Sequence, residues 1–343
     1  MNAVASISAS GPLDALPSVA TARATSIEDI DALLERGEPV ILEGAIDHWP
    51  ALAAAAQSPA MLDRYLIERD AGAPVPVMEA PPSSHGRFAY AADPREFTFT
   101  KRMRPLGETL ARIARARADR APAYLAIQML ALDTQMPAFV RDNPMALVPA
   151  GARPKLWLGG PIKTQIHNDR DHNLACIVAG HRRFLLFPPE QVINLYIGPL
   201  DNPPPLSFVD PEAPDFDAFP RFRQALEAAR VAHLGPGDAL LMPRYWWHHV
   251  TSLDPYNAMV NYWWGNSPAG LGDPHDAFLT ALLALKTLPP HERAYWRALF
   301  DAHVFDPEGA AHIPPNARGI LGAMTPAQRN ALKQRLRTAI LKS

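Results

Sequence analysis

The side chains best placed to do chemistry together are His167 and Asp169, in Thr164-Gln165-Ile166-His167-Asn168-Asp169, and the pair His248-His249 that follows Tyr245-Trp246-Trp247. The first segment reads as a strand, on which positions i and i+2 share a face, so His167 and Asp169 can converge on one ion. A histidine from a distant strand can supply a third donor. Two imidazoles and one carboxylate on one side of a divalent metal leave positions open opposite, as in non-haem Fe(II) oxygenases. Taken alone, a His-X-Asp triplet in a chain with 12 histidines usually marks a surface turn. Its setting argues otherwise. The triplet lies among strand-like segments, and the second element follows Leu234-Gly235-Pro236-Gly237-Asp238, a tight turn feeding an apolar run that ends at Pro243.

The elements that must position these residues are short and many. Strands are predicted over 155–158, 164–168, 174–178, 183–187, 231–234, 239–242, 248–252 and 258–264, with Gly and Pro punctuating the run. Strands at that spacing imply a sandwich or barrel. Upstream, Ser26-Ile27-Glu28-Asp29 is a capping-box start for a helix, 39–44 reads as a buried strand and Asp47-His48-Trp49-Pro50 as a turn. Helices are expected over 61–68 and 106–118, and extended segments over 75–79, 87–90, 96–100 and 123–129. Beyond Pro268, the segments 277–288, 292–300 and 326–341 are helix-like. The expected organisation is a flexible tail over 1–24, a β domain over 25–268 and a helical region over 269–343.

Composition narrows the function. With 33 basic against 35 acidic residues and a formal charge of −2, bulk-charge binding to nucleic acid or anionic membrane is not expected. At 48% hydrophobic and 20% charged the chain can bury a core. The single Cys176 excludes an intrachain disulfide and any multi-cysteine zinc site. No apolar run approaches the ~20 residues of a membrane span, and the first residues lack the pattern of a secretory signal, so a reduced cytoplasmic protein is expected. The 37 prolines favour short strands and turns over long helices.

Read in order, several motifs resemble the cupin-like JmjC oxygenases, in particular their asparaginyl-hydroxylase branch. They are Pro39–Gly44 with Asp47-His48-Trp49-Pro50, Thr164 to Asp169, Asn173, Gly180-His181-Arg182-Arg183-Phe184-Leu185-Leu186-Phe187-Pro188-Pro189, Gly235-Pro236-Gly237-Asp238, Tyr245 to His249, and Val260-Asn261-Tyr262-Trp263. The shared order, over roughly residues 26–268, is more specific than any one motif.

The resemblance implies a mainly β fold, a double-stranded β-helix (jelly-roll) with an N-terminal α/β decoration and a C-terminal helical segment. It implies Fe(II) held by His167, Asp169 and His248, with His249 turned away by strand alternation. It implies 2-oxoglutarate as co-substrate, its distal carboxylate bound by a cation and by hydroxyls at Tyr124 and Thr164, with Asn173 and Asn261 lining the pocket. The family usually places a lysine where this chain has Arg182. Arginine keeps the charge and can bind a carboxylate through two N–H groups, with a longer planar head. The implied activity is hydroxylation of a protein or peptide side chain, with succinate and CO₂ as co-products, and the implied assembly is a homodimer through the C-terminal helices. Other readings of the same barrel are an N-methyl demethylase, a metal cupin without 2-oxoglutarate, and a non-catalytic binding module.

Overall fold

A computed structural model describes residues 12–119, 123–200, 204–265 and 272–342. It divides into two compact units, one ending at Gly265 and one beginning at Asn266. In chain order the first unit opens with β1 (Ala20–Ala22), α1 (Ile27–Leu34), β2 (Val40–Leu42), α2 (Pro50–Gln57), α3 (Pro59–Ile67) and β3 (Val75–Ala80). Next come β4 (Arg87–Phe88), β5 (Thr100–Arg104), α4 (Leu106–Ala118), β6 (Tyr124–Ala131), α5 (Leu132–Gln135) and α6 (Pro137–Asp142). The sandwich proper follows: β7 (Arg153–Gly159), β8 (Lys163–Asn168), β9 (His172–Ala179) and β10 (Arg182–Phe187). After a long insertion carrying α7 (Phe222–Ala228) it closes with β11 (Arg230–Leu234), β12 (Ala239–Met242), β13 (Trp247–Ser252) and β14 (Asn257–Trp264).

The local chemistry explains the N-terminal helices. Ser26 caps α1: its hydroxyl accepts the Asp29 N–H, and the Asp29 carboxylate accepts the Ser26 N–H in return. That orientation buries Ile30 and Leu33. Pro50 and Pro59 open α2 and α3 at the position where a missing N–H costs no helical bond, and the Ser58 hydroxyl caps α3. The turn expected at Asp47–Pro50 is therefore also a helix start.

Two sheets face each other. The major sheet has nine strands in the order β1-β2-β12-β9-β14-β7-β6-β3-β5, and the minor sheet five, β11-β10-β13-β8-β4. Pairing is antiparallel except for β1 with β2 and β4 with β8. From β7 to β10, and again from β11 to β14, the chain crosses to the opposite sheet at each step. That alternation makes the fold a jelly-roll-like β-sandwich with helical additions.

Ala175, Ile177, Phe184, Leu186, Leu240, Val250 and Met259 fill the space between the sheets. The N-terminal helices cover the other face of the major sheet with Ile30, Leu33, Leu62, Leu66, Leu110 and Ile113. The minor sheet's outer face is covered by Phe222 and Ala225 of α7, packed on Leu185 and Phe187. No helix among the described residues is long and apolar enough to cross a membrane.

Two expectations change here. Residues 12–24 are built into the fold and are not part of a flexible tail: β1 pairs with β2, and Leu13 and Val19 are buried. The rest of that tail, 1–11, lies outside the described residues, as does Pro268 at the expected domain boundary. The strand expected over 96–100 begins only at Thr100, because Phe97 bridges Tyr90 and the Thr98 hydroxyl bonds the Arg87 and Ala89 carbonyls. The second unit contains α8 (Pro274–Leu285), α9 (Pro290–Phe300) and α10 (Pro326–Lys342), and none of its residues with a described side chain is buried.

Candidate functional site

Three strands of the minor sheet present the chemistry-bearing side chains. On β10, alternation sends Arg182, Phe184 and Leu186 between the sheets and turns Arg183 outward to Asp14 and Glu212. On β13, His248 and Val250 face inward, while Thr251 faces outward and donates to Glu212 at 3.2 Å. Strand β8 breaks the rule. His248 pairs with His167 but Val250 pairs with Thr164, so two steps on β13 are answered by three on β8.

The extra residue is a β-bulge. It turns both Gln165 and Ile166 outward, Gln165 donating to the Ser207 and Val209 carbonyls and Ile166 packing with Leu185 and Phe187. Thr164 and His167 can then share the inner cavity, which strict alternation would forbid.

The His167 and His248 rings stand 4.3 Å apart between centroids, and His248 Nε2 is 3.8 Å from Asp169 Oδ2. Each Nδ1 meets a backbone carbonyl, Gln165 O at 2.8 Å for His167 and Trp246 O at 3.0 Å for His248. A carbonyl only accepts, so each Nδ1 carries the proton and each Nε2 keeps a free lone pair. Burial, reinforced by the neighbouring His167, lowers the His248 pKa to about 4, so this imidazole is neutral near pH 7.

Asp169 Oδ2 accepts from the Asn173 amide at 3.2 Å, and Asn173 accepts from Asn261 at 2.9 Å. The backbone stitches the two halves of the trio together. Tyr245, at φ +73°, donates its N–H to the Asp169 carbonyl, and Asn168 donates to the Tyr245 carbonyl.

Whether these donors fit a metal can be judged from their chemistry. Two neutral imidazoles with directed lone pairs and one carboxylate suit a divalent ion with open positions. Donors at ~2.1 Å from one ion stand about 3 Å apart when adjacent, so the trio is slightly splayed. Consistent with that, no three His, Cys, Asp or Glu side chains among the described residues stand ready-made at ligand spacing.

The trio lines a cavity of about 490 Å³ shared with Thr164, Asn173, Arg182 and Asn261. Arg182 is its most informative wall. The residue is 5% exposed, its Nε lacks an acceptor, and its guanidinium makes no hydrogen bond or ion pair with any described residue. Burial lowers its pKa to about 10, so it stays charged at neutral pH. A buried cation without a counter-charge is costly, and a carboxylate entering the cavity would relieve that cost. A larger groove of about 700 Å³ by Leu52, Val178 and Tyr256 carries none of the candidate residues.

Tyr124 sits at a distance from the other expected residues. Its ring packs with Ala80, Phe88, Ala126 and Ile162 and lines a separate small cavity beside Ile113 and Arg117. It does not line the cavity of the trio. On the same strand it is Gln128 that lines that cavity, four residues and about 13 Å further along at ~3.3 Å per residue. Gln128 and Trp157 escaped the sequence reading. The signal for Gln128 was present, a lone amide in the otherwise apolar run of β6.

The remaining histidines stand apart from the trio. His249 is buried on the outer side of β13, 3.9 Å from Glu212. His172 accepts the Arg244 N–H, and His181 pairs with Asp254. Of the aromatics at 246–247 and 262–264, Trp263 lines the cavity. Trp246 and Trp247 are buried and bond the Gly37 and Pro189 carbonyls.

Comparison with known proteins adds an independent line. The profile of the Cupin-like domain family matches residues 26–270. HSPB1-associated protein 1 of Homo sapiens is 36% identical over 152 residues, which is 42% of this chain and 31% of that protein. Jumonji C domain-containing protein 5 of Drosophila melanogaster is 29% identical over 261 residues, 70% of this chain and 58% of that protein. Lysine-specific demethylase JMJ31 of Arabidopsis thaliana is 29% identical over 140 residues, 40% of this chain and 24% of that protein. The chain thus spans only about a third of the human relative it matches.

Proposed function

This chain belongs to the cupin-like (JmjC-type) domain family, which includes Fe(II)- and 2-oxoglutarate-dependent oxygenases and demethylases, and on that premise we propose that it is such an oxygenase, hydroxylating a side chain of a protein or peptide. The observation that carries the proposal is the sharing of one cavity by the His167, Asp169 and His248 trio and a buried, uncompensated Arg182. A metal cupin that works without 2-oxoglutarate has no use for that cation.

In this reading His167, Asp169 and His248 hold Fe(II), and Arg182 with Thr164 holds the distal carboxylate of 2-oxoglutarate. Fe(II) and 2-oxoglutarate held there would supply the oxidative chemistry for hydroxylating a C–H bond, with succinate and CO₂ as co-products. The chain's own work is positional. The Gln165 and Trp246 carbonyls fix both imidazole tautomers, and Asn173 orients the Asp169 carboxylate. Phe184, Met242, Val250 and Met259 give the cavity an apolar lining that keeps water from the reacting centre.

A polypeptide substrate is supported by the nature of the relatives, one an HSPB1-associated protein and another a lysine-specific demethylase. Homodimerisation through the second unit is supported by its exposed Phe278, Leu279, Leu283, Trp296, Phe305 and Leu336 in a unit with no buried described side chain. The test of activity is succinate formation from 2-oxoglutarate by the purified chain. It is expected to require Fe(II) and to rise when a substrate peptide is added. Metal-dependent turnover of another small molecule with no succinate would contradict the proposal.

A further inference from the structure

The cavity wall formed by the major sheet carries unpaired polar groups that neither the metal nor the co-substrate uses. Gln128 is 5% exposed, its Nε2 is buried, and its side-chain amide makes no hydrogen bond with any described residue. The indole N–H groups of Trp157 and Trp263 are likewise buried without acceptors, and the two rings meet edge to face with centroids 6.2 Å apart. All three residues line the cavity of the trio.

Gln128 is held there by an irregular backbone. Ile127 pairs with Leu158 and Leu130 with Leu156, so β6 carries an extra residue against β7, and Met129 sits at φ +62°. A non-glycine residue in the left-handed region is strained, and bulges re-aim side chains. Both features here serve to turn an amide into a cavity.

The wall's chemistry selects its ligand. The acids that line the cavity, Asp169 and Asp171, follow β8 and are absent from this wall. A cation would find no carboxylate on it, and a hydrocarbon would leave each N–H unpaired. A carbonyl oxygen satisfies such donors, and the Gln128 amide can both give and take a hydrogen bond with another amide. We infer that Gln128, flanked by Trp157 and Trp263, is the substrate-reading subsite of the cavity and takes an amide carbonyl. The amide comes from a peptide unit or from a side-chain carboxamide. This rests on the oxygenase reading for what happens at the carbon next to that amide.

The test uses the full-length ¹⁵N-labelled protein and follows its indole N–H resonances, assigned through Trp157→Phe and Trp263→Phe. The probes are N-methylacetamide for a peptide unit, acetamide for a carboxamide, and tetramethylammonium as a cationic control. Either amide is expected to shift the Trp157 and Trp263 signals saturably, and the tighter of the two identifies the source. Gln128→Leu is expected to weaken that binding at least tenfold. Gln128→Glu, which keeps size and removes the N–H donor, does the same and decides the matter should the leucine variant fail to fold. Equal amide binding in wild type and Gln128→Glu, or a response to tetramethylammonium alone, overturns the subsite. Peptide-independent succinate formation, measured on the same sample, separates the two claims. If succinate forms without an amide response, only the subsite falls; if no succinate forms, the oxygenase reading falls.

Discussion

Replacing Arg182 with methionine should make the ligand-free protein more stable and at the same time abolish its affinity for 2-oxoglutarate. Most substitutions at a binding residue lose stability or leave it unchanged, so the sign is diagnostic. Burial lowers the Arg182 pKa from the ordinary guanidinium range to about 10, and at ~1.36 kcal/mol per unit the charged form is penalised by about 3 kcal/mol in the fold. Methionine removes the charge and follows much of the same stem, at a packing cost of up to about 1.5 kcal/mol. The net expectation is a gain of roughly 1–3 kcal/mol, in line with other replacements of buried charges by apolar side chains.

Urea unfolding followed by tryptophan fluorescence near neutral pH measures this. Saturating 2-oxoglutarate with a divalent metal should reverse the order, because ligand at about 1,000 times its Kd adds about 4.1 kcal/mol to the wild type and nothing to the variant. The pH dependence has a definite sign. The folded pKa lies below the unfolded one, so the unfolded chain binds more protons between them and the wild type closes the gap as pH rises through about 10. An Arg182→Met protein that is less stable by more than about 1 kcal/mol, or that still binds 2-oxoglutarate, would refute the reasoning.

Other consequences follow from the same geometry. Glu212 accepts from Arg183 and Thr251 and pairs closely with Lys163. His249 and Lys163 hold its carboxyl well below the ordinary range, and because burial pulls His249 toward neutrality the lasting cations are Lys163 and Arg183. Glu212→Gln should cost about 2–3 kcal/mol by urea unfolding. Its folded pKa is depressed, so this contribution is present above the unfolded value and fades as pH falls below about 4; a difference that grows on acidification would contradict it. Asn173→Ala frees the Asp169 carboxylate and should weaken Fe(II) binding about 10–100-fold, read by anaerobic metal titration, with unchanged affinity counting against the positioning role. Light scattering across a concentration series should show a dimer that dissociates on dilution or on Leu283→Glu, and a concentration-independent monomer would remove the dimer proposal.

Period-2 alternation carried much of the site from sequence to structure. It separates Arg182 from Arg183 and His248 from His249, sending the first of each pair into the cavity and the second to Glu212. Alternation also sets the limit of what could be read. Thr164 and His167 differ by an odd number of residues, and only the β8 bulge puts them on one face; nothing in the residue types announces that extra residue.

Matching Tyr124 to a family position left open how far along β6 the cavity begins, and it is Gln128 that lines it. The Glu212 cluster was invisible because its donors come from β8, β10 and β13, distant in the chain and adjacent only once paired. The paired segment at Ala20–Ala22 was missed because three small residues in an Ala- and Ser-rich stretch carry no strand signature; a parallel partner, β2, makes them one.

The most direct test of the central claim is a visible absorption spectrum taken anaerobically after Fe(II) and 2-oxoglutarate are added to the protein. The wild type should develop the weak charge-transfer band of a chelated complex, and His167→Ala, Asp169→Ala and His248→Ala should not. A band of undiminished strength in any of the three variants would contradict the assignment of that side chain to the metal, and its absence from the wild type would contradict the account as a whole.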